Sequence, residues 1–279
     1  MMKLYKLKQG VLVEFDGNRY WLDTADWDEL VNDDQIIRTL KDRVRGQSPV
    51  HDWEDLLAEQ IDAPMQGQEL WASGVTYERS RQGRQEESQK SGGADFYARV
   101  YEAERPELFF KAPRHRVVGT GGVVRIRADS EWDVPEPELV LAITRSGKII
   151  GYSIGNDMSS RSIEGENPLY LPQAKCYDGC AALGPCIYLT DQPLPGDTRI
   201  ELSICRAGEE VFGGDVEISR IKRKFEDLVA FLYRECSFPN GALLMTGTGI
   251  VPGSDFTLQS GDEILITIAC IGTLVNRVA

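Results

Sequence analysis

The first part of the chain carries two different hydrophobic patterns. Apolar residues alternate with polar ones on both sides of an Asp16-Gly17-Asn18 turn, and these apolar residues are Leu4, Val11, Val13, Phe15, Tyr20 and Leu22. Alternation with a period of two around such a turn predicts a β-hairpin. Apolar residues then recur at helical spacing over 36–45 and 53–60, which predicts two helices. We therefore expect residues 1–66 to form a small N-terminal α+β domain.

Strand patterns dominate the remaining residues, 67–279. A short apolar strand is predicted at 70–75, and from Phe109 onward apolar stretches alternate with turn signals. These turn signals lie at 119–122, 146–147, 195–197, 213–214 and 261–262. One helical pattern interrupts the strands near 221–235. Together the patterns predict an α+β fold that is mainly β, with an antiparallel or mixed sheet folded on itself.

The segment 78–93 departs from this pattern. It is very polar and ends in Ser91-Gly92-Gly93. Such a composition is typical either of a lid-like surface segment or of a solvated helix, and the sequence leaves both interpretations open.

Composition and charge exclude several classes of function. The chain has 279 residues, 31 Lys plus Arg and 44 Asp plus Glu, with a formal net charge of −13 at pH 7. Proteins that bind duplex nucleic acid usually present a basic face, so we expect no nucleic-acid partner. No apolar run reaches the roughly 20 residues that a membrane span needs, and no secretory signal is recognised. We therefore expect a cytoplasmic protein without a membrane partner.

The scarcity of histidine limits the possible metal chemistry. His51 and His115 are the two histidines of the sequence, so a histidine-rich zinc site is excluded. A metal would be held mainly by oxygen, which points to Mg²⁺, Mn²⁺ or Ca²⁺. The six cysteines contain no Cys-x-x-Cys pair and are expected to be reduced thiols. The alternative is a zinc site formed by Cys176, Cys180 and Cys186.

Three carboxylates are predicted to converge on one hairpin. If Ser146-Gly147 is a two-residue loop, Arg145 pairs with Lys148, and Asp157 lies opposite Glu136. Glu138 shares the face of Glu136 because side chains two positions apart lie on the same side of a strand. Three carboxylates so close repel one another unless a cation lies between them. The pattern predicts either a divalent-metal site or an acidic strand edge exposed to solvent.

The same residues resemble the motifs of the fumarylacetoacetate hydrolase family. That family shows Glu-x-Glu at the start of a strand, then Asn-Asp-x-Ser-x-Arg, then a lysine before Gly-Pro. The corresponding positions here are 136–138, 156–161, Lys175 and 184–185, followed by 246–248. The resemblance covers about residues 70 to 279. Further stretches are similar to the family branch that dehydrates 2-keto-3-deoxy sugar acids, and they lie at 105–111, 129–132 and 166–172.

The resemblance implies a mixed β-sandwich roll catalytic domain and assigns roles to residues. Mg²⁺, or else Mn²⁺ or Ca²⁺, would be held by Glu136, Glu138 and Asp157. Lys175 would meet the substrate beside the metal. For a dehydration we expect Lys175 to act as the base at C3 or to steady the enolate, and either Glu107 or Glu164 to carry out the second proton transfer. The substrate, a small 2-oxo acid, would be bound by Arg161, Thr248, Lys111 and Tyr77. The family also implies a homodimer or homotetramer.

The activity implied is dehydration of a 2-keto-3-deoxy sugar acid, of the D-arabinonate type, to an oxo-acid semialdehyde through an enolate. Hydrolytic relatives carry His-x-x-Glu after a tyrosine, and counting from Tyr77 these two places hold Ser80 and Gly83. Neither residue is a base at neutral pH, which favours a reaction that needs no attacking water. Hydrolysis or decarboxylation of an acylpyruvate or 2,4-dioxo acid is the alternative. A non-catalytic acid-binding protein is a third hypothesis.

Overall fold

A computed structural model describes residues 1–23, 26–87 and 94–279. Its strands are β1 (Met2–Leu7), β2 (Gly10–Phe15), β3 (Asn18–Leu22), β4 (Glu69–Gly74), β5 (Glu107–Ala112), β6 (Val117–Val118), β7 (Val123–Val124), β8 (Asp133–Val134), β9 (Pro137–Ile143), β10 (Ile149–Asp157), β11 (Ser159–Ser160), β12 (Ala181–Leu189), β13 (Arg199–Arg206), β14 (Glu209–Glu217), β15 (Ala242–Met245), β16 (Glu263–Ile268) and β17 (Gly272–Val278). Its α-helices are α1 (Trp27–Val31), α2 (Ile36–Val44), α3 (Trp53–Gln60), α4 (Glu78–Glu87), α5 (Ala94–Glu102), α6 (Arg161–Glu166), α7 (Leu171–Lys175) and α8 (Phe225–Leu232). Short 3-10 helices lie at Arg114–Arg116, Pro168–Tyr170 and Ile218–Arg220.

Two sheets build the body of the protein. The larger has the strand order β3-β2-β1-β12-β10-β9-β15-β4-β5, with β6 added beside β12, and the smaller has the order β14-β13-β16-β17-β7. Most neighbouring strands are antiparallel, but β15 is parallel to β4. The sheets pack face to face over an apolar core that includes Leu139, Leu141 and Ile154. This confirms the predicted α+β, mainly β fold with a mixed sheet.

The central strand β9 is apolar throughout because both of its faces are covered. Leu139 and Leu141 face the smaller sheet, whereas Val140 and Ala142 belong to a second apolar cluster on the other face. Side chains from α1 and α2, among them Leu40, fill that second cluster. A strand buried on two sides reads as a continuous hydrophobic run rather than as an alternation.

The predicted N-terminal elements are present. The hairpin β2–β3 turns at Asp16-Gly17, and both residues have positive φ angles, as a two-residue hairpin loop requires. The helices α2 and α3 lie where the apolar periodicity places them. Strand β1 also pairs with β12, so the first strands extend the large sheet. The division of the chain at residue 66 stays a prediction.

Two sequence predictions are wrong in detail. The turn predicted at 213–214 lies inside β14, and the connection between β13 and β14 is Ala207-Gly208 instead, both with positive φ. The helix predicted over 221–235 spans only Phe225–Leu232. Basic side chains at 222–224 are unfavourable at a helix N-terminus, whereas Glu226 and Asp227 are suited to its first turn.

The loop between β9 and β10 also differs from the prediction, yet the predicted carboxylate pairing is retained. Thr144 and Lys148 close a three-residue loop, since Thr144 N donates to Lys148 O at 2.9 Å. The expected pairing of Arg145 with Lys148 is therefore wrong. A bulge at Ile150 then shifts the register by one residue. The two deviations cancel, and Gly155 lies opposite Glu138.

Candidate active site

Three carboxylates meet where β9 begins and β10 ends. Glu136 directly precedes β9, Glu138 is its second residue, and Asp157 is the last residue of β10. The backbone N–H of Asp157 donates to Glu136 O at 2.9 Å, which fixes the two strand ends against each other. One carboxylate oxygen from each residue lies within 4.8 Å of the others, and all three residues are buried. The predicted convergence of these side chains is confirmed.

The electrostatics of the three carboxylates suit a divalent cation. Burial and repulsion by Asp157 and Glu136 raise the pKa of Glu138 well above its ordinary value. Burial would also raise the pKa of Glu136, but Lys175 and Arg161 outweigh it and hold that pKa well below its usual range. A hard cation relieves this repulsion, and carboxylate oxygens are the ligands that Mg²⁺ prefers. The donor set therefore fits Mg²⁺.

Lys175 lies against the acidic cluster from the end of α7. Its ammonium is fully buried and donates to Glu136 Oε2 at 2.7 Å, to Asp157 Oδ2 at 3.2 Å and to Ser159 Oγ at 2.5 Å. Burial alone would lower the pKa of Lys175, but the Asp157 and Glu136 carboxylates outweigh burial and raise it. The site thus places a protonated amine directly beside the proposed metal ligands.

Lys111 holds Asp157 from the other side. Its ammonium lies 2.5 Å from Asp157 Oδ1 and donates to Met158 O at 2.9 Å and to Lys175 O at 2.5 Å. The ammonium thus makes two hydrogen bonds to backbone carbonyls and one short ion pair. The side chain, fully buried in β5, is therefore engaged in orienting Asp157 and the end of α7.

Glu107 begins β5 and brings a further carboxylate to the cluster. Its Oε2 atom is shielded from solvent and accepts no hydrogen bond within the described part of the chain. Burial raises the pKa of Glu107, although the Arg84 guanidinium opposes this. Gly74 lies opposite Glu107 in the sheet, and a Cβ atom built on Gly74 would overlap Glu107 Oε2. A glycine at 74 is thus what leaves room for this carboxyl group.

The remaining predicted residues surround the same cluster. Arg161 Nη2 lies 2.8 Å from Glu136 Oε1, at the first residue of α6. Thr248 is buried, and its hydroxyl exchanges hydrogen bonds of 3.2 Å with the backbone of Ile250. Tyr77 is buried beside Glu138, and burial together with that charge raises the pKa of its hydroxyl.

Glu164 lies on α6 among cationic groups. Its Oε1 is 2.8 Å from Arg84 Nη1 and 3.3 Å from Lys175 Nζ, and its Oε2 is 3.8 Å from Arg161 Nε. Sequence reasoning found Glu164 but missed Arg84, which comes from α4. The positions Tyr77, Ser80, Gly83 and Arg84 are buried and follow helical spacing. This spacing could have indicated a buried helix face, but the face is not a hydrophobic one.

The structure resolves the open interpretations of 78–93 in part. Residues 78–87 form α4, and its buried Arg84 shows that this helix is not solvated on every side. The predicted Ser91-Gly92-Gly93 end lies outside the described residues. Two other sequence alternatives lose support. The three carboxylates are buried rather than part of a solvent-exposed strand edge, and the candidate metal-binding group found among the described residues contains no cysteine, which argues against a zinc site at Cys176, Cys180 and Cys186.

A backbone amide that the sequence did not single out completes the acidic cluster. Gly247 N donates to Glu138 Oε2 at 2.5 Å from the loop after β15. Gly247 has a φ of +92°, and a Cβ at this position would overlap Thr76 Oγ1. Only glycine fits this conformation and this close approach easily.

Known proteins match both the sequence and this geometry. Residues 80–279 match the family described as "Fumarylacetoacetate (FAA) hydrolase C-terminal". The chain belongs to the fumarylacetoacetate hydrolase family. The family that the Glu-x-Glu and Asn-Asp-x-Ser-x-Arg motifs predict is therefore confirmed.

Two relatives within this family align over nearly their whole length. The chain is 43% identical over 273 residues to the "Probable 2-keto-3-deoxyxylonate dehydratase" of Haloferax volcanii, covering 94% of this chain and 93% of that protein. It is 40% identical over 291 residues to the "2-dehydro-3-deoxy-D-arabinonate dehydratase" of Saccharolobus solfataricus, covering 100% and 96%.

A solved structure from the same family superposes closely. It is described as "2-keto-3-deoxy-D-arabinonate dehydratase complexed with magnesium and 2,5-dioxopentanoate". The TM-score is 0.82 at 35% identity, and the alignment covers 99% of this chain and 98% of that one. The predicted fumarylacetoacetate hydrolase-like fold is thereby confirmed over the whole described body.

Proposed function

We propose that this protein is a metal-dependent hydro-lyase that dehydrates a 2-keto-3-deoxy sugar acid of the D-arabinonate or D-xylonate type. One observation carries the proposal: a buried cluster of Glu136, Glu138 and Asp157 lies in hydrogen-bond contact with Lys175. The relatives with this activity in their names, at 40% and 43% identity, support the choice of substrate class. The product would be an oxo-acid semialdehyde.

Mg²⁺ would be held by Glu136, Glu138 and Asp157. When bound, it supplies a Lewis acid that polarises the 2-oxo group and so makes the C3 hydrogens acidic. Lys111 orients Asp157, and Gly247 N orients Glu138, so these ligands are preorganised by the protein. Arg161 and Thr248 are suited to bind the substrate carboxylate, and Tyr77 to close the pocket wall beside Glu138.

Dehydration needs a proton removed at C3 and a proton delivered to the departing C4 hydroxyl. We assign Lys175 to C3 because its ammonium is the group in contact with two metal ligands. It would act either as the cation that steadies the enolate or as the base, the latter once a bound divalent ion offsets the carboxylates that raise its pKa. We assign Glu107 to the C4 hydroxyl. A buried carboxyl with a raised pKa can hold the proton that the leaving group needs. Glu164 contacts three cations, so we assign it a supporting role.

Hydrolysis of an acylpyruvate uses the same metal but also requires a base that activates water. The helix α4 carries Ser80 and Gly83 where the hydrolytic members of the family carry His and Glu. Ser80 is buried, and its hydroxyl donates to Tyr77 O at 2.7 Å. It offers no base, which argues against hydrolysis.

A turnover screen tests the proposal. The purified protein is incubated with Mg²⁺ and 2-keto-3-deoxy-pentonates, 2-keto-3-deoxy-hexonates or acylpyruvates, each with and without EDTA. We expect loss of one water from a 2-keto-3-deoxy-pentonate, seen by mass spectrometry, and no reaction in EDTA. Release of pyruvate from an acylpyruvate, with no turnover of the sugar acids, would reject the proposal.

The cellular location and the oligomeric state of the enzyme are predictions. No helix among the described residues has the length and apolar character to cross a membrane. A cytoplasmic location and a homodimer or homotetramer are expectations. Sedimentation of the purified protein tests the assembly.

A further inference from the structure

Helix α4 is attached to the site by a buried charge rather than by apolar side chains. Its face toward the body consists of Ser80, Gly83 and Arg84, and Arg84 is 4% exposed. The Arg84 guanidinium lies 2.8 Å from Glu164 Oε1 and 5.8 Å from the ring centre of Tyr97. A buried ion pair adds little net stability compared with apolar packing. Helix stability alone therefore does not explain why an arginine occupies this position.

The chain of contacts from Arg84 leads to the reacting groups. Glu164 Oε1 lies between Arg84 Nη1 and Lys175 Nζ, at 2.8 Å and 3.3 Å. Lys175 in turn contacts Glu136 and Asp157. The carboxylate of Glu164 thus competes with the two metal ligands for the Lys175 ammonium. The charge of Arg84 offsets that competition because its guanidinium pairs with the same Glu164 oxygen.

We propose that Arg84 is a positioning residue that acts through Glu164 to hold the Lys175 ammonium at the metal-binding carboxylates. This inference rests on the proposed function. Without the guanidinium, Glu164 attracts Lys175 more strongly and draws it away from Glu136 and Asp157. Such a displacement affects the chemical step more than substrate binding, since small misplacements of reacting groups reduce rate steeply.

A double-mutant cycle in kcat tests the inference. Arg84→Gln is expected to lower kcat about 10- to 100-fold while KM changes less than about threefold. In the Glu164→Gln background, adding Arg84→Gln is expected to change kcat by less than about threefold, because the group through which Arg84 acts is already neutral. Arg84→Lys, which keeps the charge, is expected to recover most of the loss.

Control variants separate an effect through Glu164 from a loss of folding or of metal binding. Arg79→Gln changes the exposed side of α4, where Arg79 pairs with Glu86, and is expected to keep wild-type kcat and KM. Calorimetric titration with Mg²⁺ alone should give Arg84→Gln a wild-type dissociation constant within about threefold, since the carboxylate with which Arg84 pairs, Glu164, is not a proposed metal ligand. If Arg84→Gln fails to fold, Arg84→Met replaces it in the cycle, because its aliphatic stem retains packing near Tyr97.

Two outcomes overturn the proposal. Fully additive losses in the double variant would show that Arg84 does not act through Glu164. A kcat in Arg84→Gln equal to that of Arg79→Gln would show that Arg84 has no role in the reaction. If the wild-type protein dehydrates no 2-keto-3-deoxy acid, the proposed function fails instead, so the two failures are distinguishable.

Discussion

At the scale of single residues, the site is a balance of buried charges. Carboxylates supply the donors for a divalent ion, and each is held by a cation or a backbone amide at short distance. Lys111 and Lys175 form ion pairs with the two carboxylate oxygens of Asp157, and Gly247 N donates a hydrogen bond to Glu138 Oε2. Such groups are costly to bury unless they are paired, so each removal should have a specific consequence.

Lys175→Ala should separate metal binding from chemistry. We expect kcat to fall by about 100-fold or more, as for loss of a proton-transfer group, while Mg²⁺ still binds because its three carboxylates remain. Steady-state kinetics and calorimetric titration measure the two effects. Lys8→Ala, at an exposed lysine, is the control. Retention of more than half of the wild-type kcat in Lys175→Ala would contradict the assigned role.

Gly74→Ala tests whether the position of the Glu107 carboxyl group affects the rate of the reaction. The added methyl would occupy the space of Glu107 Oε2 and push this carboxyl out of position. We expect kcat to fall about 10- to 100-fold with Mg²⁺ affinity unchanged. Gly196→Ala is the matched control, because its new Cβ would meet only Ser219 Cβ at 3.5 Å. Equal kcat in both variants would remove Glu107 from the mechanism.

At the scale of elements, the hairpin β9–β10 brings the ligands together. The loop is one residue longer than the sequence suggests, and the bulge at Ile150 restores the register. A one-residue shift moves a side chain to the other face of a sheet, so without the bulge Asp157 would face away from Glu136. The predicted ligand pairing is therefore correct although the predicted loop is not.

Asp62 links the N-terminal strand β1 to the 3-10 helix at 114–116. It lies 2.6 Å from Lys6 Nζ and 2.5 Å from an Arg114 nitrogen. Burial would raise the pKa of Asp62, but the hydrogen bonds from Lys6 and Arg114 outweigh burial and lower it. Because the folded pKa is the lower one, these pairs stabilise the protein above the unfolded pKa of about 4 and lose their effect as pH falls through the folded pKa.

Denaturant unfolding of Asp62→Asn measures this link. We expect the free energy of unfolding to fall by about 1 kcal/mol at pH 7, and the difference from wild type to shrink as the pH falls below the unfolded pKa of about 4. Asp129→Asn, which removes a fully exposed partner of Arg127, should change stability little at either pH. A difference that persists unchanged at low pH would contradict the assignment.

The sequence predicts an element well when neighbouring residues determine it, and poorly when contacts distant in sequence do. The β2–β3 turn and the helices α2 and α3 follow from local periodicity, and they are found where expected. The prediction of a turn at 213–214 is wrong because glycine also occurs inside strands, where it can mark a close approach of neighbouring atoms rather than a reversal of the chain. The burial of Arg84 at the site could not be predicted, because its partner Glu164 is distant in sequence and the helix face that carries Arg84 is not hydrophobic.

At the scale of the whole molecule, two packed sheets and an outer layer of helices enclose an acidic cluster in an acidic protein. The net charge of −13 and the buried carboxylates both disfavour the compact state without a counter-ion. Binding of a divalent ion to the folded state alone should therefore stabilise the entire fold.

Thermal unfolding with and without Mg²⁺ measures this stabilisation. At a free Mg²⁺ concentration about 100 times its Kd, we expect a stabilisation of about 2.7 kcal/mol, which corresponds to a Tm increase of about 4–5 °C for a chain of 279 residues. Asp157→Asn should show no Mg²⁺-dependent increase. An equal increase in wild type and Asp157→Asn would place the stabilising ion elsewhere.

The most direct test of the account is a calorimetric titration of Mg²⁺ into EDTA-treated, desalted protein. We predict one site per chain in the wild type, and at least about 100-fold weaker binding in both Glu138→Gln and Asp157→Asn, each with an unchanged circular dichroism spectrum. A wild-type protein that binds no divalent ion, or an Asp157→Asn variant that binds with wild-type affinity, would contradict the account.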